Sequence, residues 1–426
     1  MRKYLSALLT ILTPVLASAQ WTSLNSTTAA NLHDVDFISP LYGVAAGDGN
    51  TILLTTDGGA IWSDINNNQI TGDIYSVTVR NTDTIYVSTF NATLQSGTIY
   101  KTENGGAAWV AVGTDNQLAH KIDLALPGPS PLYAAGSSLV SSVNPGTGWD
   151  TLSNNIAGTN ILDILRFADP QVGHISGLVS GFTTYSAYFL RTEDAGANWY
   201  RGDVFSFPNN DPLTAMCFEG PDTAFVFTND YNGFMPSNIN GLIKIYGFQQ
   251  SIPFPGDTAF TFTSQVINSA MPAYINDGIF LDSFLGYAMG NNGTVYKTID
   301  GGVTWTIDYV AGSPLVSVDF SGNTGYAVGG NGAIIKYSLP AAVSEIDLSM
   351  DIDVHPYLAN EYLVVNTGRL SGIRYEITNV TGSRIESGVL YSDENIIRVS
   401  EYAEGVYFLT LYINGKVYAK KFAVSH

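Results

Sequence analysis

The sequence has few of the residues that cross-link or charge a protein. It contains one cysteine, so no disulfide can form within the chain. Charged residues make up only 13%, and acidic side chains outnumber basic ones by 37 to 18. Residues 20–342 hold 26 acidic and 9 basic side chains, a net charge of −17. Such a surface repels phosphate groups, which argues against nucleic acid and anionic membrane surfaces as partners.

The chain also lacks an apolar stretch long enough to cross a bilayer. It begins MRKYLSALLTILTPVLASAQ, in which two basic residues precede an apolar run at 4–16 and an Ala-Ser-Ala sequence at 17–19. This order is typical of a secretory signal peptide. We therefore expect residues 1–19 to be removed during export and the mature protein to have no membrane span.

Long amphipathic helices and metal-binding clusters are absent from the sequence as well. Short runs of Val, Ile, Tyr and Phe are separated by Gly, Asn, Asp and Ser, and the chain contains 43 glycines. This composition predicts an all-β fold. No histidines and cysteines have the spacing of a zinc site, so no metal and no cofactor are expected. Cys217, in the apolar segment TAMCFEG, is predicted to be a buried free thiol.

One turn motif, Ser/Thr-x-Asp/Asn-x-Gly-x-x-Trp, recurs along the chain and contains five of the six tryptophans. Its copies are TTDGGAIW (55–62), TENGGAAW (102–109), SVNPGTGW (142–149), TEDAGANW (192–199) and TIDGGVTW (298–305). Short apolar runs of strand character precede each copy, and a further strand starts at its tryptophan. Four antiparallel strands in a period of about 40–50 residues are typical of a β-propeller blade.

The period predicts a closed seven-bladed β-propeller over residues 20–340. The blades are 34–66, 75–113, 121–154, 161–204, 213–267, 278–310 and 315–338. The fifth lacks the motif and has Phe260 where the others have tryptophan. The seventh ends after three strands, whereas WTSLN at Trp21 resembles the fourth strands of other blades. We therefore expect Trp21 to begin the strand that completes the last blade, which leaves no long free sheet edge.

The repeated turns resemble Asp-boxes, the bacterial neuraminidase repeats of sialidases, sortilin-type receptors, xyloglucanases and photosystem II assembly factor-like propellers. The resemblance covers residues 21–338 and implies a structural turn, in which the acid or amide accepts backbone hydrogen bonds and the tryptophan packs on the sheet. Asparagine at two positions supports this role, because it cannot replace aspartate in acid–base catalysis. The residues assigned to these turns are Asp57, Trp62, Asn104, Trp109, Asn144, Trp149, Asp194, Trp199, Asp300 and Trp305.

Catalysis of the sialidase type would require three convergent arginines to hold a carboxylate. The propeller region contains only Arg80, Arg166, Arg191 and Arg201, and the last two lie beside one turn motif. Other glycoside hydrolases need two carboxylates across a cleft, and no pair is singled out by its spacing. We therefore predict no catalytic residue and no enzymatic activity; an extracellular glycan-active hydrolase of the Asp-box type is the alternative.

A ligand site is expected on the face away from the turns, since in the resembling family the Asp-boxes lie opposite the ligand. Loops between second and third strands are long in blades 2, 4 and 5, where aromatic residues mix with Asn and Asp. Such a mixture suits a carbohydrate or protein ligand, although loops of this kind can also merely shield the ring. The candidate ligand-binding residues are Phe182, Tyr185, Asn229, Asp230, Tyr231, Asn232 and Phe234.

The blade period stops near residue 340, and after a linker at 341–350 the segment 351–426 has short alternating strands with Asn414-Gly415 as a hairpin turn. This segment resembles the type A C-terminal sorting domain of the type IX secretion system of Bacteroidota. HPYLAN (355–360) replaces the usual opening Pro-Asn-Pro, and an ordinary adhesive sandwich domain is the alternative. The matching positions are Tyr375, Ile377, Gly382, Ile385, Gly405, Val406, Tyr407, Gly415, Lys420, Lys421 and Phe422.

These observations predict an all-β protein, a seven-bladed β-propeller followed by a small C-terminal β-sandwich. The resemblances imply export through the periplasm and a final location that is secreted or on the outer cell surface. The expected partners are the type IX secretion machinery, through residues 351–426, and an extracellular glycan or protein ligand. We expect a binding module that acts as a monomer.

Overall fold

The computed structural model divides into two compact units, Trp21–Ser338 and a second that contains Leu339–His426. Among the residues described, no helix is long and apolar enough to cross a membrane. The structure describes residues 20–91, 96–115, 123–125, 132–135, 139–142, 150–151, 161–180, 185–202, 213–228, 241–254, 257–268, 273–338, 353–356, 358–367, 372–379, 384–413 and 416–425.

The larger unit is a succession of small antiparallel sheets. The first strand, β1 (Gln20–Leu24), belongs to the last of them. Sheet 1 contains β2 (Leu32–Phe37), β3 (Gly43–Gly47), β4 (Ile52–Thr55) and β5 (Ser63–Asp64), with a 3-10 turn at Asp48–Asn50. Sheet 2 contains β6 (Asp73–Val79), β7 (Ile85–Asn91), β8 (Ser96–Thr102) and β9 (Val110–Asp115). Sheet 3 contains β10 (Asp123–Ala125), β11 (Leu132–Ala135), β12 (Leu139–Ser142) and β13 (Asp150–Thr151).

The next eight strands form one sheet, whose halves we number 4 and 5. Sheet 4 contains β14 (Ile161–Phe167), β15 (Gly173–Ser180), β16 (Tyr185–Thr192) and β17 (Tyr200–Gly202). Sheet 5 contains β18 (Leu213–Gly220), β19 (Thr223–Thr228), β20 (Gly241–Phe254) and β21 (Asp257–Asn268), and β21 pairs in parallel with β17. Sheet 6 contains β22 (Ile275–Phe280), β23 (Gly286–Gly290), β24 (Thr294–Thr298) and β25 (Thr306–Val310). Sheet 7 contains β26 (Leu315–Ser321), β27 (Thr324–Gly329), a 3-10 turn at Gly330–Gly332, β28 (Ile334–Ser338) and, beside β28, β1.

An aromatic residue at the end of the first strand covers a glycine at the start of the second in several sheets. A Cβ added at Gly43 would lie 2.4 Å from the Phe37 ring, and one at Gly325 would lie 2.3 Å from the Phe320 ring. The same contact joins Phe167 to Gly173 in sheet 4. The glycine is required here because any side chain would displace the ring that packs against the neighbouring sheet.

Each sheet packs against the next, and the last packs against the first. From sheet 1 to sheet 6, each sheet shares one cluster of buried side chains with the sheet that follows it. Between sheets 6 and 7, Tyr287 stacks on Phe320 with 5.7 Å between ring centroids. Leu32 and Phe37 of sheet 1 share a cluster with Tyr326 and Val328 of sheet 7. The sheets are therefore arranged in cyclic order.

The turn between third and fourth strands has the same hydrogen bonds in sheets 1, 2, 4 and 6. In sheet 1, the Thr55 hydroxyl donates to Asp57 (2.9 Å), Gly59 N–H donates to Thr55 Oγ1 (2.8 Å), and Ile61 N–H donates to Asp57 Oδ1 (3.0 Å). Gly58 and Gly59 have φ of 73° and 85°, a region that glycine adopts without strain. Asn104 of sheet 2 accepts the equivalent bonds through its amide oxygen.

In each of these four sheets, the turn lies at the same end as the loop that follows the first strand. In each of the four, an N–H of the turn donates to a carbonyl of the loop between first and second strands. The donor–acceptor pairs are Gly58–Leu41 (2.9 Å), Gly105–Asp83 (2.9 Å), Ala195–Gln171 (2.8 Å) and Gly301–Phe284 (3.0 Å). The start of each first strand is consequently at the opposite face.

The second unit contains two sheets that share one core. The smaller sheet contains β29 (Asp353–His355), β31 (Tyr362–Asn366) and β34 (Glu394–Arg398), and the larger contains β30 (Leu358–Ala359), β32 (Ile373–Asn379), β33 (Arg384–Leu390), β35 (Gly405–Ile413) and β36 (Lys416–Val424). Leu363 and Val365 of the first sheet pack in one buried cluster with Ile377 and Leu409 of the second. Within this core Tyr407 stacks on Phe422 at 5.6 Å. Asn414 and Gly415, the predicted turn between β35 and β36, lie outside the described residues.

Candidate functional site in the central cavity

The first strands of all seven sheets line one cavity of about 460 Å³. Its wall combines apolar side chains with Asp34, Asp36, Asp123, Asp277 and Asp319, and with the guanidinium of Arg166. The cavity falls within the usual volume range of ligand pockets, about 300–1,000 Å³. We call it the central cavity.

Three of these aspartates occupy the same register position of their strands, and each holds the neighbouring sheet. One carboxylate oxygen of each accepts an N–H from the first strand of the next sheet. The bonds run from Val77 to Asp34 Oδ2 (2.8 Å), from Leu165 to Asp123 Oδ2 (2.9 Å) and from Val318 to Asp277 Oδ2 (2.9 Å). Hydrogen bonds of this charge-assisted kind are stronger than neutral ones, so the carboxylates fasten adjacent sheets together.

A second level of carboxylates lies two residues further along the strands, nearer the face that carries the turns. Val79 N–H donates to Asp36 (2.5 Å), and Phe37 N–H donates to Asp319 (2.7 Å). The second bond joins sheet 7 to sheet 1 and therefore closes the cyclic arrangement. Both levels have the same function of binding one sheet to the next.

Arg166 compensates much of the negative charge of the cavity. Its Nη1 lies 2.6 Å from Asp123 Oδ2 and 3.0 Å from the Leu165 carbonyl. The Arg166 side chain is 39% exposed, into the cavity that it lines, whereas that of Asp123 is only 9% exposed. The charge of Asp123, supported by those of Asp277 and Asp34, raises the pKa of Arg166. The guanidinium is therefore permanently charged; it contacts the carboxylate of Asp123 and is stabilised at longer range by those of Asp277 and Asp34.

The remaining carboxyl groups have raised pKa values. Burial raises the pKa of Asp277 to about 6, against the opposing effect of Arg166. Burial also raises the pKa values of Asp36 and Asp319, and the negative charge of Asp319 raises that of Asp36 further. Because two neighbouring carboxylates repel each other, this pair retains a proton at a pH where an exposed aspartate has lost it.

We expect Asp36→Asn to stabilise the protein at pH 8. A carboxyl group whose pKa is raised by folding contributes stability that is fully present below its unfolded pKa, about 3.9, and lost as the pH rises through the folded pKa. The asparagine amide carries no charge, so it avoids the cost of burying a carboxylate above its pKa. Its oxygen can still accept a hydrogen bond from the Val79 N–H. The unfolding free energy at pH 8 should rise by about 1 kcal/mol, since one pKa unit corresponds to about 1.4 kcal/mol.

This expectation is checked by urea denaturation of both proteins at pH 5 and pH 8. The wild type should lose stability between these values, and Asp36→Asn should lose less. Asp83→Asn, which changes an exposed aspartate outside the cavity, serves as the control. If Asp36→Asn and Asp83→Asn have the same pH dependence, the protonated carboxyl pair does not exist.

The predicted ligand-binding residues lie almost entirely outside the described part of the chain. This holds for Phe182, Asn229, Asp230, Tyr231, Asn232 and Phe234. Tyr185 is the first residue of β16, where its backbone pairs with Ser180. The loops that carry these residues therefore remain a sequence-based prediction.

The turn residues can be placed more fully. Asp57, Asn104, Asp194 and Asp300 each accept a bond from the threonine two residues before them and an N–H four residues after them, whereas Asn144 and Trp149 lie outside the described residues. Trp62 and Trp109 are buried, and Trp199 and Trp305 are half-buried against the cores of their sheets. Phe260, in place of the fifth tryptophan, is buried on β21. None of these residues lines the central cavity.

Of the described arginine side chains, only Arg166 lines the cavity. Arg191 is buried instead, pairing with Glu193 at 2.8 Å and lying over the Phe248 ring at 4.3 Å from its centroid. Cys217 is a buried free cysteine in the cavity wall, and burial raises its thiol pKa. Over the described ranges, no group of three or more His, Cys, Asp or Glu side chains could hold a metal ion.

Sequence reasoning missed the cavity carboxylates, because it considered acidic residues by their local spacing. Superposing the first strands LHDVDF, INDGIF and LVSVDF places acidic residues at equivalent positions, Asp34 with Asp277 and Asp36 with Asp319. That alignment is the signal in the sequence by which these carboxylates could have been found. The position of Arg166 among them depends on the cyclic packing of the sheets and has no local signature.

Both parts of the chain match models of known families. Residues 13–125 match the model described as "Photosynthesis system II assembly factor YCF48", and residues 353–425 match the model described as "Secretion system C-terminal sorting domain". The resemblance of the repeats and of the C-terminal segment is thereby confirmed. No curated protein matches the sequence.

Solved structures with a similar fold are propeller proteins. YCF48 from Cyanidioschyzon merolae aligns with a TM-score of 0.56 and 19% identity over 75% of this chain and 99% of that one. YCF48 bound to D1 peptide aligns with a TM-score of 0.54 and 18% identity over 76% of this chain and 99% of that one. The GH74 xyloglucanase from Xanthomonas campestris aligns with a TM-score of 0.51 and 14% identity over 87% of this chain and 63% of that one. At these identities the likeness shows the fold alone, an all-β protein of β-propeller type. The match of residues 353–425 to the sorting-domain model indicates a secreted or cell-surface protein.

Proposed function

We propose that the chain is a secreted or cell-surface binding module, a seven-bladed β-propeller exported by the type IX secretion system through a C-terminal β-sandwich. The cyclic packing of seven four-stranded groups supports the blade number. The core shared by the two C-terminal sheets supports the sandwich. The match of residues 353–425 to the sorting-domain model supports the route of export.

The binding function, as opposed to catalysis, rests on the state of the cavity carboxylates. Each of the five accepts a backbone N–H from an adjacent sheet. A catalytic carboxylate must present an oxygen to the substrate to exchange a proton with it or to attack it, whereas each of these groups has an oxygen committed to the backbone of another sheet. Groups that hold the sheets together are poorly suited to that task, and this observation favours a propeller that binds without transforming its ligand.

The ligand is a glycan or a protein, bound on the face opposite the Asp-box turns. That face carries the starts of the first strands and the loops between second and third strands, each of which is held by one rigid sheet. The aromatic and amide residues predicted in those loops offer stacking surfaces and hydrogen bonds. The acidic propeller further favours neutral or cationic ligands.

A glycan array and a pull-down from an extracellular protein fraction test this function on the full chain. The wild type is compared with a Tyr231→Ala/Phe234→Ala variant. We expect specific retention of a ligand by the wild type and at least tenfold weaker retention by the variant, since about 1.4 kcal/mol corresponds to tenfold. Equal retention by both proteins would rule out this loop as the binding patch.

A glycan-active hydrolase is the second candidate, and one observation favours it. Asp36 and Asp319 are neighbouring carboxyl groups with raised pKa values, the arrangement from which glycosidases take an acid and a nucleophile or base. If this function holds, the chain should cleave a glycan and Asp36→Asn should abolish the cleavage. We expect instead that no glycan is cleaved and that Asp36→Asn leaves ligand retention unchanged.

A further inference from the structure

The first strands share an irregularity near their starts. In six of them, all except the short β10, the ladder shifts register by one residue near the strand start. The extra residues are His33, Tyr75, Asp163, Thr214, Asn276 and Val316. A β-bulge changes the direction of the side chain at the extra residue and is frequent beside functional sites.

Five of these bulge residues surround a single depression, which we call the mouth. It is lined by His33, Tyr75, Thr214, Asn276 and Val316, and it has a volume of about 50 Å³. All five side chains are half-buried, so each presents part of its surface to solvent. Below them, Arg166 and Asp277 belong to both the mouth and the central cavity, so they mark the boundary between the two.

Two of the mouth residues are held in fixed orientations. His33 Nε2 lies 2.5 Å from Asp48 Oδ1, and Asp48 also accepts a bond from Asn31 Nδ2 at 2.8 Å. The His33 ring stacks on Tyr75 with centroids 5.0 Å apart and 14° between planes. Such support from a neighbouring layer of residues is what a preorganised binding site requires.

We propose that the mouth is a contact site for the terminal residue of a neutral saccharide, with Tyr75 and His33 as its aromatic wall. The proposal rests on the binding function proposed above and adds to it residues on the described strands. It places the saccharide at the start of the first strands, on the face opposite the Asp-box turns.

The chemistry of the mouth favours a saccharide over other ligands. The depression has room for a few water-sized groups, since about 10–15 Å³ of such space holds one water molecule, so a hydroxyl or hydroxymethyl group can enter it. Asn276 donates through Nδ2 to the Leu315 carbonyl (2.6 Å), and its amide oxygen can accept a hydrogen bond from a hydroxyl. The aromatic pair offers apolar surface to the C–H face of a sugar ring. The three carboxyl groups of Asp34, Asp123 and Asp277 outnumber the single guanidinium of Arg166 in this lining, which disfavours an acidic sugar.

Isothermal titration of the full chain with neutral oligosaccharides tests the site. Tyr75→Ala removes the aromatic wall, and Val316→Phe fills the mouth by adding bulk rather than by removing a contact. We expect each to weaken binding about tenfold or more, a loss of about 1.4 kcal/mol. Tyr362→Ala, a change of a 47% exposed tyrosine in the C-terminal unit, should alter binding less than twofold. Thermal melting confirms that the variants are folded.

The outcomes separate this site from the binding function itself. Saccharide binding that both mouth variants retain would overturn the mouth as the site and leave the binding module standing. Binding to proteins but to no saccharide would likewise overturn the mouth assignment alone. Cleavage of the saccharide by the wild type would overturn the proposed function, and the effect of Val316→Phe on binding would still decide whether the mouth contacts the sugar.

Discussion

Replacing Trp21 by alanine should lower the unfolding free energy of the propeller unit by about 3–5 kcal/mol, the usual cost of truncating a large buried aromatic side chain. Trp21 is only 1% exposed. Its ring meets the edges of Tyr287 and Phe320 at centroid distances of 5.7 and 5.9 Å, and it lies 5.4 Å from Tyr337. The cavity left behind would therefore lie at the junction of sheets 6 and 7.

The loss should be large because β1 is the strand that completes sheet 7. Without the Trp21 contacts the strand keeps its backbone pairing with β28, but little holds it against sheet 6. Urea denaturation measures the effect, and Thr22→Ala, an exposed position on the same strand, is the matched control. A loss below about 1 kcal/mol for Trp21→Ala would show that β1 is dispensable for the closed arrangement.

Arg166→Met should destabilise the protein by about 1–3 kcal/mol at pH 7.5, less than the about 3–5 kcal/mol for one partner of a fully buried ion pair, because the guanidinium is 39% exposed into the cavity. The guanidinium contacts Asp123 directly; burial raises the pKa values of Asp34 and Asp277, and the charge of Arg166 opposes that rise. Methionine keeps most of the side-chain volume but leaves these carboxylates uncompensated. The effect should therefore be electrostatic rather than a loss of packing.

The sign of the pH dependence distinguishes an electrostatic effect of Arg166→Met from a loss of packing. Without Arg166 the folded-state pKa values of the carboxyl groups rise further. The contribution of these carboxyl groups to the unfolding free energy is then present at low pH and lost as the pH rises through their folded-state pKa values. The deficit of Arg166→Met relative to the wild type should accordingly shrink as the pH falls from 8 to 5. An Arg166→Met/Asp123→Asn double variant should recover part of the stability at pH 8. A deficit that is constant over this range would contradict the electrostatic explanation.

The repeats allowed much of the fold to be predicted, because one short motif carries its own physical cause. The threonine or serine and the acid or amide of the motif supply the side-chain hydrogen bonds of the turn locally, so five copies in the sequence indicate five equivalent turns. Trp21 could be placed in the last sheet because WTSLN resembles the fourth strands elsewhere. The C-terminal segment was recognisable from the alternation of residues in β35 and β36.

The site was much less predictable, because its residues come together only through packing. Asp36 and Asp319 are separated by almost the whole larger unit and meet because sheet 7 packs on sheet 1. Similarly, the exposure of His33 and Tyr75 at the mouth depends on the register shifts of β2 and β6, which no residue type specifies. Sequence reasoning looked for the ligand in the loops and did not identify the strand starts between them.

The non-catalytic binding function is tested most directly by incubating the full chain with the glycan it retains and following that glycan by mass spectrometry. The cavity carboxylates are engaged between sheets, so the glycan should be recovered at unchanged mass after prolonged incubation, bound at one molecule per chain. Accumulation of a shorter product in proportion to time and protein concentration, abolished by Asp36→Asn, would contradict the binding function and establish the hydrolase.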